Sequence, residues 1–338
     1  MSRRAALPTA LAALVAMHLA ALGAGFLAPY DPTEQNRSVP YAPPTRLRFV
    51  DAEGRFHLRP FVYRLVRSGA GGAYEEDRRQ GHPVVFLARD GAGAPGGRVH
   101  LFGVDEPARI FLLGTDAFGR DQLSRLLHGA QISLFAGLLA TVLSLGVGWL
   151  LGTLAGYYGG WLDSVLMRSA ELFLALPWLY LLFAMRAVLP LHLSPGQAFL
   201  LLVLVIGLVD WARPARLVRG VVLSARERSY VLAARGFGAS DLYLIRRHIV
   251  PQTLGLLLTQ AALLAPQYIL AEVTLSYLGL GVSEPVPSWG NMLASLQHYH
   301  VLASYWWMWV PGLALVAVFL AYYALSEALH LRAGPTSS

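Results

Sequence analysis

Eight arginines fall between positions 213 and 247: Arg213, Arg216, Arg219, Arg226, Arg228, Arg235, Arg246 and Arg247. Only two acids, Glu227 and Asp241, stand among them. Guanidinium groups at this density can pair with carboxylates or phosphates. The stretch lies between two long apolar runs, and a short basic loop in that setting stays on the cytoplasmic side of a membrane. Residues 226–237 read as one helix, on which Ala233 and Ala234 form a small-residue surface open to close backbone approach. Gly238 can take the left-handed conformation that ends a helix. Ser240 is placed to N-cap a second helix, whose positive end Asp241 favours. Leu242, Ile245 and Ile249 then fall on one face, and Pro251 marks entry to the next apolar run. A loop that only fixed orientation would need the arginines, but not the alanine pair, the Gly236-Phe237-Gly238 turn or the proline.

A second group is Glu272, with Tyr268 and Ser276 one helical turn away on either side. A charge near mid-span costs at least about 2.5–3.5 kcal/mol. Glu272 should therefore face a bundle interior or a water-filled path, and the three residues read as a translocation-path or gate set. Asp210 and Arg213, at a span end, read as interfacial. Covalent chemistry finds little support. All 27 basic Lys+Arg positions are arginine, so a G-x-x-x-x-G-K-[ST] phosphate loop and Schiff-base catalysis are excluded. Cysteine is absent, which excludes disulfides and thiolate metal sites. His298 and His300 stand two apart with no acid cluster near, and Ser276 and Ser288 lack a histidine and acid at motif spacing. The chain is read as a non-enzyme with no catalytic, cofactor-binding or metal residues of its own. If an ATP-driven process is involved, ATP and Mg belong to another chain.

These groups need a scaffold of apolar helices. The 338 residues are 55% hydrophobic and 14% charged, against about 25% charged in a soluble domain. Six apolar runs, near 11–27, 132–155, 170–189, 198–211, 254–280 and 305–325, predict an all-α polytopic membrane protein. Arg3 and Arg4 precede the first run, which reads as an uncleaved helix starting in the cytoplasm. Six crossings return the C-terminus to the cytoplasm and put the basic loop, between the fourth and fifth helices, on that side too. Residues 28–130 differ in kind, with 14 arginines and 12 acids. There, 46–50 and 56–63 flank an Asp-Ala-Glu-Gly turn, and 84–88 and 98–102 flank a glycine-rich turn at 91–97. Both read as hairpins of a small β-rich extracytoplasmic subdomain. Next, Thr115 or Asp116 is expected to cap a short interfacial helix with Leu123, Leu126 and Leu127 on one face. The resulting organisation is an N-terminal helix (1–30), a β-rich insertion (31–110) and an interfacial segment (111–131). A five-helix core (132–330) with its loop at 213–251 and a tail (331–338) follow.

At this point several motifs match one family in order. Tyr230-Val-Leu-Ala-Ala-Arg-Gly-Phe-Gly-Ala-Ser-Asp241, followed by His248-Ile-Val-Pro251, resembles the cytoplasmic E-A-A…G…I-L-P loop of ABC importer permeases. Gly114-Thr-Asp-x-x-Gly-Arg-Asp-x-x-Ser-Arg125 resembles the segment before the second helix in the C-type permease of dipeptide, oligopeptide and nickel importers. Gly156-Tyr-Tyr-Gly-Gly-Trp-x-Asp163, Leu275-Ser-Tyr-Leu-Gly-Leu-Gly281 and Pro287-Ser-Trp-Gly290 are similar to that group too. The resemblance covers about residues 110–325 and the first helix. It implies the type I ABC importer permease fold with six transmembrane helices, in the bacterial cytoplasmic (inner) membrane. It implies a coupling helix held in a cleft of an ATPase subunit, with Tyr230, Ala233, Ala234, Arg235, Gly238, Ser240, Asp241, Ile249 and Pro251 as coupling residues. The implied partners are a homologous second permease, two ABC ATPase subunits that bind ATP and Mg, and an extracytoplasmic solute-binding protein. Peptides or related small solutes are the implied cargo. Two positions depart from the pattern: Leu232 replaces the glutamate before the alanine pair, and Gln131 replaces an arginine. The residues alone leave open a standalone secondary transporter or channel, although no repeated halves with paired broken helices are visible. They also leave open a membrane-anchored binding module.

Overall fold

The structure, a computed structural model, describes residues 6–68, 73–89, 99–188 and 193–333. The glycine-rich turn at 91–97 and the stretch 69–72 lie outside the described residues, as does the C-terminal tail from 334. The helices are α1 (Ala6–Leu22), α2 (Ala24–Leu27), α3 (Gln122–Tyr158), α4 (Gly160–Ala175), α5 (Trp178–Val188), α6 (Pro195–Val209), α7 (Ala212–Arg226), α8 (Ser229–Gly236), α9 (Asp241–Leu244), α10 (Val250–Tyr277), α11 (Trp289–Ala294), α12 (Tyr299–Ser304) and α13 (Val310–Ala333). A π turn, Ile245–Ile249, joins α9 to α10.

Among the described residues, three helical stretches are long and apolar enough to cross a bilayer: Gln122–Tyr158, Asp241–Tyr277 and Trp306–Leu329. The number rises to five if each of two bent pairs is one span, and α1 is a shorter apolar helix. The run expected at 170–189 is not one straight helix. It breaks between α4 and α5 with a 90° bend at Pro177. Proline lacks a donor and pushes the preceding residue, here Leu176, into an extended conformation. The interfacial helix expected before 132 is likewise continuous with the first long span, because nothing between Leu127 and Ile132 stops α3. Its cap is neither Thr115 nor Asp116 but Asp121, whose Oδ2 accepts from the Ser124 backbone N–H at 2.8 Å.

The described residues form two compact units, one of those within 6–14, 134–275 and 318–333, the other of those within 15–133 and 276–317. In the first, α3 packs on α7 along Gly148, Gly152 and Gly156. A Cβ at Gly152 would come to 2.4 Å from the Ala215 carbonyl oxygen, and one at Gly156 to 2.9 Å from Val222 Cβ. Small residues four apart let two backbones approach closely, the rule for helix contacts in lipid.

The second unit contains an antiparallel sheet in the order β1 (Arg48–Val50), β2 (Phe56–Ser68), β3 (Ala73–Arg89), β4 (Val99–Val104). The β1–β2 turn is built by Asp51, whose Oδ1 accepts from the backbone N–H groups of Glu53 and Arg55 at 3.1 and 2.8 Å. β2 also pairs with β3, so the two hairpins read from sequence merge into one sheet. Val62 and Val84 pack on Ile110, and Phe111 packs on Val39 and Ala42.

Candidate functional site

The basic stretch folds as a helical elbow in the first unit. The single helix expected over 226–237 is a correction: α7 ends at Arg226, and α8 starts afresh at Ser229. Arg226, the last residue of α7, also serves α3. Its guanidinium donates to the carbonyls of Gly156 and Tyr157 at 2.9 and 3.3 Å, closing the C-terminus of α3. A guanidinium at a helix C-terminus satisfies orphan carbonyls and the dipole together. Gly238 ends the elbow's first arm with φ +83°, donating to the Arg235 carbonyl at 2.9 Å. Ser240 then caps α9, its hydroxyl accepting from the Tyr243 N–H.

The elbow is fastened to the ends of the long helices. Val231, Leu244 and Ile249 are buried with Tyr157, Val218, Val222 and Ala225, and Ala234 packs against them. The face expected from Leu242, Ile245 and Ile249 is therefore shifted. Leu242 is exposed and Leu244 takes its place, because the π turn inserts an extra residue per turn. Pro251 sits in the first turn of α10, directly after that π turn. Polar contacts add to the fastening. The Tyr157 hydroxyl donates to Asp241 Oδ1 at 2.6 Å, and the Arg235 guanidinium lies 5.5 Å from the Tyr157 ring centroid. Arg219 grips Asp163 through two nitrogens, one at 2.6 Å. Outward, Ala233 is exposed with Tyr230, Leu232, Leu242 and Tyr243, and Phe237 is 93% exposed at the tip. Sequence reading named Phe237, Tyr157 and Arg226 but gave none of them a role of its own in the elbow; a phenylalanine between two glycines at a helix end was the available signal for the first.

The intramembrane set is buried as an interior-facing charge requires. Glu272 and Tyr268 have no exposed surface, and Ser276, one turn on and in the second unit, is buried as well. Asp210 stands at the C-cap of α6. It is buried, its Oδ2 accepts from the Tyr268 hydroxyl at 3.0 Å, and its backbone carbonyl accepts from Ser144 at 3.1 Å. Arg213, by contrast, is exposed and approaches Gln267.

In the second unit the Gly114–Arg125 motif forms a charge cluster with Glu284, three residues before the Pro287–Gly290 motif. Arg120 donates to Asp116 at 2.6 Å and to Glu284 at 2.5 Å, and the buried Arg125 reaches Glu284 at 2.8 Å. The indole of Trp289 donates to the Leu126 carbonyl, and Ser288 forms a capping box with Asn291. Burial alone would raise the Glu284 carboxyl, but Arg125, then Arg120, outweigh it and hold it below the usual carboxylate range. Glu284→Gln is expected to lower stability by about 1–3 kcal/mol, less than for a fully buried pair because Glu284 is half exposed. Thermal melting of the purified chain checks this. A lowered folded-state pKa stabilises above the unfolded value and is lost as pH falls through the folded one. The gap between wild type and E284Q should therefore narrow below its reference value of 4.5; a gap that widens in acid would refute the assignment.

Comparison with known proteins agrees with this arrangement of motifs. The family model described as "Binding-protein-dependent transport system inner membrane component" matches residues 148–334. The dipeptide transport system permease protein DppC of Bacillus subtilis is 35% identical over 225 residues, covering 66% of this chain and 68% of that protein. The di/tripeptide transport system permease protein DppC of Pseudomonas aeruginosa is 40% identical over 220 residues, covering 65% and 70%. Among solved structures, an inward-facing MetNI methionine ABC transporter chain aligns with a TM-score of 0.45 at 18% identity, over 61% of this chain and 95% of that one. With its matched stretch running from within α3 through the elbow to the end of α13, the chain belongs to the family of binding-protein-dependent transport system inner membrane components.

Proposed function

We propose that this chain is the peptide-importing permease of an ABC system, in which the 229–251 elbow carries the motion of an ATPase subunit into the membrane helices. The importer role follows from family membership and from the relatives, which are named as peptide permeases. The elbow's role is carried by one observation. Its inner side is locked to α3, α7 and α10 through Val231, Leu244, Ile249 and Tyr157, while its outer side presents Ala233, Leu232 and the projecting Phe237.

Such a part moves as a rigid body with whatever grips Phe237. Tyr230, Ala233, Ala234, Arg235, Gly238, Ser240, Asp241, Ile249 and Pro251 then divide by position. Those facing out meet the ATPase, and those facing in or ending a helix keep the elbow stiff. Leu232, in the place of the family's glutamate, is half exposed and adds apolar contact on the outer side. Tyr157 and Asp241 supply a polar anchor in the elbow.

The complete assembly would hold a second, homologous permease, two ATPase subunits carrying ATP and Mg, and an extracytoplasmic solute-binding protein. Both termini and the elbow would face the cytoplasm, and the sheet of residues 48–104 the opposite side. Glu272 and Tyr268, with Ser276 one turn on, are the residues we assign to the translocation path.

The natural absence of cysteine makes the test clean. Phe237→Cys, the only thiol in the chain, should cross-link to the ATPase subunit in intact membranes and change its yield when ATP is added. Labelling of that cysteine from the extracytoplasmic side, or transport that persists with no ATPase present, would overturn the reading and favour a standalone carrier.

A further inference from the structure

One face of the β-sheet carries chemistry that the elbow does not use. Opposed residues of an antiparallel pair point to the same side, and Leu65 stands opposite Glu76. Residues two apart on a strand share a side, so Arg78 joins them. The extended residues 43–46 and Trp306 complete a cleft of about 690 Å³, lined among others by Arg46, Leu65, Glu76, Arg78 and Trp306. Pockets of about 300–1,000 Å³ commonly hold small ligands.

The charges in this cleft do not balance. Glu76 is bonded to Arg48 at 2.7 Å, and Arg78 lies 3.7 Å from the same carboxylate. One acid thus already serves two arginines. Arg46 is exposed and takes part in no ion pair among the described residues. The remaining lining acid, Glu75, is exposed. Counting Arg48 with Arg46 and Arg78, three guanidinium groups meet two carboxylates, Glu75 and Glu76, at the cleft, beside an aromatic ring, Trp306, that is 63% exposed.

We propose that this cleft binds the carboxylate end of a short peptide, with Arg46 and Arg78 on the terminal carboxylate and Trp306 against the last side chain. Guanidinium planes match carboxylates with two parallel hydrogen bonds. A half-exposed indole supplies a broad apolar face at small entropic cost. Glu76, held by Arg48, orients Arg78 instead of offering a free anion. That the ligand is a peptide rests on the importer reading above, whereas the carboxylate chemistry rests on the cleft alone. The site shares no residue with the elbow or with Glu272.

The test uses the full-length chain in detergent micelles, without other subunits, and three probes: glycyl-phenylalanine, its C-terminal amide and its N-acetyl derivative. Calorimetric titration should show the free and N-acetylated acids binding alike and the amide about tenfold weaker, as losing one charge-assisted hydrogen-bond pair implies. Arg46→Gln and Arg78→Gln should each weaken the two acids about tenfold and leave the amide unchanged. Trp306→Ala should weaken all three. Unaltered melting temperatures exclude misfolding as the cause. Equal binding of acid and amide, no saturable binding, or displacement of the dipeptide by equimolar inorganic phosphate would each overturn the proposal. So would arginine variants that spare the dipeptide but impair docking of the solute-binding protein, which would make the cleft a protein contact. If the dipeptide binds as stated but no ATPase is ever captured at Phe237, the importer reading fails and the carboxylate site stands. The reverse pair of results removes the site alone.

Discussion

Gly152→Val is expected to leave little folded chain to purify. A Cβ at this position would stand 2.4 Å from the Ala215 carbonyl oxygen and 3.0 Å from Val218 Cβ. The first of these is backbone, so no side-chain rotation relieves it, and α3 must move off α7. That movement opens the packing of Ala212 and Ala215 and shifts the end of α3 that Arg226 closes. Overpacking costs about 1–3 kcal/mol where a core can adjust, and more where it cannot. We expect at least about 3 kcal/mol here, read as loss of a monodisperse elution peak or a melting temperature lowered by many degrees. Gly146→Ala supplies the control on the same helix, where an added Cβ meets nothing within 4 Å. It should be neutral or stabilising by about 0.5–1 kcal/mol, the helix preference of alanine over glycine. If both variants behave alike, close α3–α7 contact is not what holds these helices together.

Phe237→Asp is the second large effect, and it falls on assembly instead of folding. The ring is almost wholly solvated, so removing it takes nothing from the folded chain. Tyr230, Leu232, Leu242 and Tyr243 are exposed on the same elbow. An aromatic residue projecting from a rigid base, among other exposed apolar groups, is the kind of anchor that dominates an interface. Such anchors are worth about 2–4 kcal/mol, or roughly 30- to 1,000-fold in affinity. If Phe237 docks as proposed, a carboxylate in its place would also have to be desolvated. ATPase subunits should therefore no longer co-purify with the variant, and transport should fall with them, at an unchanged melting temperature. Phe237→Leu should retain most of both. Normal recovery of the ATPase with F237D would remove Phe237 from the interface.

Local signals in the chain were read well where the physics is local. Gly238 and Ser240 act within a few residues of themselves, and a left-handed glycine followed by a capping serine needs no tertiary partner. The same holds for Asp51, which builds its turn from its own neighbours. Failures came where a distant group decided. Arg226 closes α3 through carbonyls some seventy positions earlier, at Gly156 and Tyr157. Leu244 replaced Leu242 on the buried face because one π turn alters the count of residues per turn. Asp210 stands at a helix end, and its partners Tyr268 and Ser144 come from distant parts of the chain. The spacing Gly148, Gly152, Gly156 was visible all along, yet nothing in it names α7 as the partner.

Composition and order of residues were enough to establish a chain built for a bilayer, since apolar length and arginine placement are properties that solvent and charge act on directly. They also sufficed to place the elbow, because caps, glycines and prolines act over one or two turns. Which side chains face outward from that elbow, which glycines bring two helices into contact, and which arginines surround the cleft beside Trp306 were decided only by folding. Each depends on groups far apart in the chain, and their nearness is set by packing between helices and by register between strands, neither of which any short stretch of sequence contains.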